Sequence, residues 1–234
     1  MNYHVEPIAT IHTPYKEKFA TPRQPGLAPT VRAKVELAPG FSSPEAVRGL
    51  EGFSHLWLIF LFHQSYQQGW KPTVRPPRLG GNQRVGVFAC RSPFRPNPIG
   101  LSAVKLLTIH CEQGKVVLEV QGADLIDGTP ILDIKPYLPY TDGIPEATGG
   151  FAGRSPVAAL QVKFSTAAHQ QLGEFSAKNP ELEILIRETL TLDPRPAYQQ
   201  EADGGRVYGV LLDRYNVRWR VEGETVEVID ISLA

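Results

Sequence analysis

The chain has 234 residues, with 24 lysines and arginines against 24 aspartates and glutamates, and therefore no net charge at neutral pH. This balance excludes a polybasic nucleic-acid-binding tail or an acidic disordered chain as the main feature of the protein. With 42% hydrophobic residues the chain can bury a core, and its 21 glycines and 21 prolines indicate many turns and ordered loops.

The first 150 residues are predicted to form mainly strands and loops. A nearly continuous apolar run at His55–Phe62 predicts a strand covered on both faces, and Ser43-Pro44-Glu45 predicts the start of a short helix that ends near Leu50. Further strands are predicted at Val5–Thr10, Thr30–Leu37, Val85–Ala89, Leu101–His110, Val116–Gln121 and Ile131–Lys135. Short strands at this spacing predict a barrel or a strongly curved sheet.

The sequence changes character after the glycine-rich segment 148–153. It then predicts a strand at Val157–Phe164 and helices over Ala167–Lys178 and Pro180–Leu192. Three alternating segments follow as hairpin strands, at Val207–Leu212, Asn216–Val221 and Thr225–Ile231. We therefore predict two domains, a mainly β domain over residues 1–150 and a small α+β domain over residues 151–234.

No acidic residue occurs between Glu51 and Glu112. The basic residues of this stretch are Lys71, Arg75, Arg78, Arg84, Arg91, Arg95 and Lys105. Clustered cations without carboxylates are typical of a surface that faces phosphates, although chance loop composition is the simpler explanation. The stretch also carries Trp70, Phe88 and Phe94, on which unpaired bases can stack. RNA or another polyanion is thus a plausible partner.

The sequence lacks the short motifs of several common enzyme classes. No G-x-G-x-x-G or G-x-x-x-x-G-K-S/T segment supports a nucleotide-binding loop, and no G-x-S-x-G segment supports a hydrolase. The histidines and the two cysteines, Cys90 and Cys111, show no zinc-binding spacing, so we expect no metal. The longest apolar run, Leu56 to Phe62, is far shorter than the about 20 residues that cross a membrane. No signal peptide is visible, so we expect a cytoplasmic protein.

Three proline-rich segments carry the polar residues that stand out. Residues 86–102 read GVFACRSPFRPNPIGLS, residues 21–26 read TPRQPG, and residues 127–130 read DGTP. Prolines stiffen such loops and present their polar groups at low entropic cost, but each segment alone could be only a structural turn.

Together these segments resemble the TsaA-like family, the bacterial TrmO-type tRNA (adenine(37)-N6)-methyltransferases. The resemblance also rests on GLEGFSHLWLIFLFHQ, RPPRLGG and DGTPILDIKPYLPY, and, near the C-terminus, on DPRPAY and NVRWRV. It implies a single-sheet β-barrel that binds S-adenosylmethionine, a small accessory C-terminal domain, and a homodimer with the cofactor near the subunit interface. The implied substrate is threonylcarbamoyladenosine at position 37 of tRNA, with threonine tRNA as the expected case.

The resemblance also implies site residues. Cofactor-binding residues are expected at Pro22, Arg23, Gln24, His63, Gln64, Arg91, Leu101, Asp127, Gly128, Thr129 and Pro130. The two arginines suit the methionine carboxylate, or alternatively a phosphate, and backbone groups near Leu101 and Asp127–Pro130 suit the adenine edge. Leu101 itself would form an apolar wall, although a core position is the simpler expectation. RNA-binding residues are expected at Arg75, Arg78 and Arg95.

The catalytic group stays open at this point. The acceptor nitrogen belongs to a ureido group and is more acidic than a plain amine, so positioning could supply most of the acceleration. The candidates are Tyr137, Asp133 and His63 as a base, with Asn97 orienting the carbamoyl oxygen, and each has a structural alternative. Asp133, for example, could simply pair with Lys135 or Arg91. A non-catalytic RNA-binding or S-adenosylmethionine-sensing protein on the same fold is the alternative function, and a phosphate-handling hydrolase, which would need a metal, is a weaker one.

Overall fold

The computed structural model describes residues 3–156, 160–195 and 205–234, and six of its strands close a barrel. The first eight strands are β1 (Ala9–His12), β2 (Arg32–Leu37), β3 (His55–Leu61), β4 (Thr73–Val74), β5 (Val85–Gly86), β6 (Ile99–Glu112), β7 (Lys115–Gln121) and β8 (Thr129–Pro136). The barrel order is β1-β2-β7-β6-β3-β8, and every neighbouring pair is antiparallel. This confirms the predicted single-sheet barrel.

The barrel interior is built by alternating side chains, and this corrects one prediction for β3. Leu56, Leu58 and Phe60 are buried, while the residues between them are partly exposed, so β3 is not covered on both faces. A barrel wall has only one interior face, which explains the alternation. Gly100 on β6 lies directly against the Phe60 ring, since a Cβ there would come within 2.2 Å of it. Glycine at this position therefore lets the phenylalanine fill the barrel.

In the first half of the chain, 3-10 turns replace the predicted helix and most of one predicted strand. The segment after Ser43 forms two 3-10 turns, Pro44–Val47 and Leu50–Gly52, and the Ser43 hydroxyl accepts a hydrogen bond from the Glu45 amide. The strand predicted at Val85–Ala89 is limited to β5, which pairs with β4, and Val87–Ala89 forms a 3-10 turn. After β8 comes a single helical turn, α1 (Pro139–Asp142).

The C-terminal half contains the predicted α+β elements. They are β9 (Gln161–Phe164), α2 (Thr166–Ser176), α3 (Leu182–Thr191), β10 (Tyr208–Leu212), β11 (Tyr215–Glu222) and β12 (Thr225–Leu233). The sheet order is β10-β11-β12-β9, with β9 parallel to β12. The start of the strand predicted from Val157 lies outside the described residues. We call residues 160–195 and 205–234 the C-terminal unit.

The protein has two hydrophobic cores, one inside the barrel and one in the C-terminal unit. The second core also takes side chains from the segment that follows β1, including Tyr15, Ala20, Ala28 and Val31. The Asp213 amide donates to the Pro14 carbonyl at 2.6 Å, which extends this contact to the backbone. A segment of the first half is therefore part of the second core, while the division near residue 150 stays a prediction.

No helix in the described part of the chain is both long and apolar enough to span a membrane.

Candidate functional site

Three connections lie at the same end of the barrel, which we call the site end. Because neighbouring strands are antiparallel, β1, β3 and β7 finish at this end, and β2, β6 and β8 start there. The connections are residues 13–31 between β1 and β2, 62–98 between β3 and β6, and 122–128 between β7 and β8. The topology thus brings every predicted cofactor residue to the site end, within a connection or in the first residues of the strand that follows it.

The β1–β2 connection contacts the other two. The Arg91 guanidinium donates to the Gln24 side-chain oxygen at 2.8 Å, and the Gly26 amide donates to the Gly122 carbonyl at 2.9 Å. The Lys18 ammonium donates to the Ser65 hydroxyl at 3.0 Å, close to His63 and Gln64. The TPRQPG segment is therefore held between the loop that carries Arg91 and the loop that precedes β8.

The DGTP turn is fixed by the residues after β1. The Asp127 carboxylate accepts hydrogen bonds from the Thr13 amide at 3.0 Å and from the Lys16 ammonium at 2.8 Å. Partial burial raises the pKa of Asp127, but these two bonds outweigh it and hold the pKa below its ordinary value. Gly128 has a φ of +74°, a conformation that a side chain would strain.

The backbone amides of this turn already donate hydrogen bonds within the protein. Those of Asp127 and Gly128 donate to the carbonyls of Tyr15 and Ile11 at 2.8 and 2.9 Å, and that of Thr129 donates to Ile126. If the turn contacts an adenine, its carbonyl oxygens are the groups left to do so, and they can accept from the exocyclic amine.

The remaining predicted cofactor residues differ in exposure. Pro22 and Thr129 are buried, and Arg23, Gln64 and Arg91 are exposed. Leu101 is 49% exposed on the outer face of β6, so it does not occupy the core position that was its simpler expectation. Burial lowers the pKa of His63, and the nearby Lys18 charge lowers it further, against a backbone hydrogen bond at Leu61 that raises it. The imidazole is thus neutral at physiological pH.

One partly buried carboxylate at the site end was not predicted. Asp124, in the β7–β8 connection, accepts a 2.6 Å hydrogen bond from the hydroxyl of Ser102, which is fully buried on β6. Burial raises the pKa of Asp124 to about 6, although the Ser102 bond and the Arg91 charge lower it. An aspartate between Ala123 and Leu125, directly after a buried strand, was the signal in the sequence that could have identified it.

The predicted catalytic candidates are not gathered at one place. Tyr137 follows the last residue of β8, at the end opposite the site end, and the eight residues of β8 span about 25 Å. Its ring packs 5.4 Å from that of Trp57. Asp133 forms an ion pair of 2.8 Å with Lys135, as one of its structural alternatives proposed. Asn97 is exposed, and its backbone carbonyl accepts from the Ile99 amide.

The three predicted RNA-binding arginines have different surroundings. Arg78 donates to the backbone carbonyls of Ala152 and Arg154, and Arg95 donates to those of Val87 and Cys90. Both guanidinium groups therefore form hydrogen bonds to the protein's own backbone and stabilise those loops. Arg75 is exposed beside the β4–β5 ribbon.

Exposed aromatic rings lie in the same connection. Phe88 is 74% exposed and Trp70 is 55% exposed. The Arg95 guanidinium lies over the Phe88 ring, and the Lys71 ammonium lies 4.3 Å from the centroid of Phe94. Cations next to accessible rings are suited to phosphates and unstacked bases together.

In the described part of the chain, no three histidine, cysteine, aspartate or glutamate side chains are grouped as metal ligands.

Comparison with known proteins gives matches over both halves of the chain. The sequence model of the tRNA-methyltransferase O N-terminal domain matches residues 10–143, and that of the TrmO C-terminal domain matches residues 157–234. The chain is 49% identical over 231 residues to the tRNA (adenine(37)-N6)-methyltransferase of Escherichia coli K12, covering 99% of this chain and 98% of the relative.

Two further relatives agree with this match. The chain is 46% identical over 235 residues to the putative S-adenosylmethionine-dependent methyltransferase RcsF of Pseudomonas aeruginosa, covering 99% of each chain. The crystal structure of TrmO from Pseudomonas aeruginosa superposes with a TM-score of 0.83 at 38% identity, and the match covers 99% of both chains.

Proposed function

The chain belongs to the TrmO family, and on this premise we propose that it is an S-adenosylmethionine-dependent methyltransferase acting on N6 of adenosine 37 in tRNA. One observation carries this conclusion. The chain matches the Escherichia coli enzyme of that activity from end to end, at 49% identity, rather than over the barrel alone.

The cofactor site is proposed at the site end of the barrel. When bound, S-adenosylmethionine supplies an electrophilic methyl group on a positively charged sulfur. The Arg91 guanidinium, already aligned by Gln24, offers further N–H donors for the cofactor's carboxylate, and Arg23 on the same stiff loop offers a second fork. These guanidinium donors fit the carboxylate of the cofactor.

The finer substrate is proposed to be threonylcarbamoyladenosine at position 37, in threonine tRNA as the expected case. Position 37 lies in the single-stranded anticodon loop, where bases are accessible for stacking and for edge contacts. The exposed rings of Trp70 and Phe88, with Arg75 in the same acid-free connection, support an RNA-facing surface there. Since tRNA is the substrate, the proposed location is the cytoplasm.

A homodimer through the outer face of β3 and β6 is also proposed. Ile59 pairs with Leu101 and Leu61 with Ile99 across these strands, and Ile99 and Leu101 are 42% and 49% exposed. This row of exposed and partly exposed apolar side chains, which includes the predicted cofactor residue Leu101, suits a second copy of the chain. Ile99→Asp should therefore give a monomer in analytical ultracentrifugation, whereas Leu233→Asp, at an exposed leucine of β12, should not. An Ile99→Asp protein that stays dimeric would place the interface elsewhere.

The activity is tested by methyl transfer from labelled S-adenosylmethionine to two tRNA pools, one with and one without threonylcarbamoyladenosine. The modified nucleoside is then identified by mass spectrometry. Label in the first pool only, as the N6-methyl form, is the expected result. Label in both pools would support adenosine 37 methylation with a broader substrate.

The second candidate function is a non-catalytic RNA-binding or S-adenosylmethionine-sensing protein. It predicts cofactor binding by calorimetry without any label in either pool. The Arg91–Gln24 contact and the Asp124 carboxylate, on which the Arg91 charge acts, favour the catalytic function, because a binding protein does not need a titrating group at this place.

A further inference from the structure

We propose that Asp124 is the general base of the methyl transfer, accepting the proton of N6, and that Ser102 positions it. This inference rests on the proposed function. It concerns a carboxylate that none of the predicted site residues includes, and it follows from where the fold places that side chain.

The position of Asp124 is at the centre of the site end. It lies in the β7–β8 connection, two residues after Gly122, whose carbonyl holds the Gly26 amide at the end of the TPRQPG segment. The hydroxyl of Ser102 reaches it from β6, and the charge of Arg91 acts on it from the β3–β6 connection. The β1–β2 connection thus contacts the chain two residues before Asp124, and the β3–β6 connection acts on Asp124 through the charge of Arg91.

The Asp124 carboxylate is oriented by hydrogen bonds and is still partly exposed. Ser102 donates to Oδ1, and a backbone hydrogen bond at Asp124 also stabilises the ionised form. The residue is partly exposed, so a substrate at the mouth of the barrel can reach it. A carboxylate that is oriented in this way and is still accessible is a suitable proton acceptor.

The protonation behaviour fits this use. Burial raises the pKa of Asp124 to about 6, so the group is mostly ionised at neutral pH and yet binds a proton more strongly than an ordinary aspartate. Among the described residues, the charged and titratable groups that face it are Arg91 and the phenol of Tyr15. The other candidates fit less well, because Asp133 is held by Lys135 and Tyr137 lies at the opposite end of the barrel.

The reaction balances with this base alone. The N6 proton passes to the Asp124 carboxylate, N6 forms the bond to the methyl carbon, and the electron pair of the broken carbon–sulfur bond stays on the sulfur.

The experiment compares the wild type with Asp124→Asn and Ser102→Ala, and uses Glu119→Gln, a partly buried carboxylate on β7, as the matched control. Single-turnover methyl transfer is measured from pH 5 to 9 at saturating cofactor. The wild-type and control rates should fall as the pH drops through about 6. Asp124→Asn should lower the rate at pH 8 by about 100-fold or more and abolish this pH dependence. Ser102→Ala should move the profile to higher pH, because the lost hydrogen bond stabilised the ionised form.

Two measurements do not depend on turnover. A carboxyl-carbon NMR titration of the cofactor-free protein should show an aspartate with a midpoint near pH 6 that is missing in Asp124→Asn and present in Glu119→Gln. Cofactor affinity measured by calorimetry should change by less than about threefold in Asp124→Asn, because the base acts in the chemical step and not in cofactor binding.

Several outcomes would overturn the inference. An Asp124→Asn enzyme with the wild-type single-turnover rate would do so, as would a loss confined to cofactor affinity or the absence of an aspartate titrating near pH 6. If wild-type protein transfers methyl groups and one of these results is found, only the inference fails. If the wild type transfers none, the proposed function fails with it.

Discussion

The site end of the barrel and the core of the C-terminal unit differ in whether their polar groups have hydrogen-bond partners. At the site end, buried polar groups such as Ser102, Asp124 and Thr129 have hydrogen-bond partners, and several cations stay exposed. In the C-terminal core, the Trp219 indole N–H and the Tyr15 and Thr189 hydroxyls have no partner that satisfies hydrogen-bond geometry among the described residues. The first region keeps polar groups in the arrangement expected of the proposed site, and the second stabilises the protein by packing large side chains.

The largest effect is expected when this packing is removed. Trp219 is fully buried and stacks on Tyr208 at 4.7 Å, so Trp219→Ala should lower the free energy of unfolding by about 3–5 kcal/mol, measured by urea denaturation. Trp219→Phe should cost clearly less, because it keeps an aromatic ring and removes an N–H without a partner. Equal losses of unfolding free energy in both variants would show that the indole N–H also contributes to stability.

At the site end, a substitution is expected to raise the free energy of unfolding rather than lower it. Because burial raises the pKa of Asp124 above that of the unfolded chain, the folded state binds the proton more tightly. Wild-type stability therefore falls as the pH rises from about 4 through about 6. Asp124→Asn should remove this loss and stabilise the protein by about 3 kcal/mol at pH 8 and little at pH 4. Thermal unfolding at both pH values checks this, and a destabilisation at pH 8 would contradict it.

Loss of a cation at the site end should affect binding without affecting stability. Arg91→Ala removes the guanidinium aligned by Gln24 and should weaken S-adenosylmethionine binding about tenfold in calorimetry. Arg91→Lys should recover only part of the affinity, since an ammonium cannot form the two parallel bonds of a planar fork. An unchanged affinity in Arg91→Ala would remove this residue from the cofactor site.

The RNA-facing surface should respond to salt. Arg75→Ala should weaken tRNA binding and reduce the slope of log affinity against log salt concentration by about 1. Arg48, an exposed arginine in the connection at the opposite end of the barrel, provides the control, and Arg48→Ala should leave the slope unchanged. Equal slopes for both variants would place the tRNA elsewhere.

The smallest effect is expected at a buried hydroxyl whose contact falls short of hydrogen-bond geometry. Tyr15→Phe should change the free energy of unfolding by less than about 1 kcal/mol, because it removes only the imperfect contact with Thr189. Tyr15→Ala, which also removes the ring from the core, should cost about 3–5 kcal/mol in the same urea experiment. A large loss in Tyr15→Phe would show that the hydroxyl forms a bond in solution.

Local pattern in the sequence was enough to predict most strands and both C-terminal helices, because alternation and helical periodicity are set by which face is buried. It was not enough for β3, whose outer residues are also apolar, or for Val85–Ala89, which ends as a strand after two residues because only the two-residue β4 pairs with it. Whether an apolar side chain faces inward or outward depends on partners that are distant in the sequence.

The site was partly predictable for a similar reason. The stiff loops with Gln24, Arg91 and Asp127 stand out by composition, and the antiparallel order of the barrel brings them together. Asp124 is marked in the sequence only by its apolar neighbours, because its pKa is raised by burial in the folded protein and its partner Ser102 is distant in the sequence. Tyr137 is the converse case, since its prediction as a candidate base takes no account of the length of β8.

The segment after β1 has a consequence for how the protein tolerates cleavage. Residues 139–156 are exposed throughout and join the two halves of the chain, whereas Tyr15 and its neighbours cross from the first half into the core of the second. A protease that cuts this exposed link would therefore leave two fragments joined by a shared core. The covalent link between the halves and the segment that packs them together are different parts of the chain. The packing segment includes TPRQPG, which belongs to the proposed cofactor site.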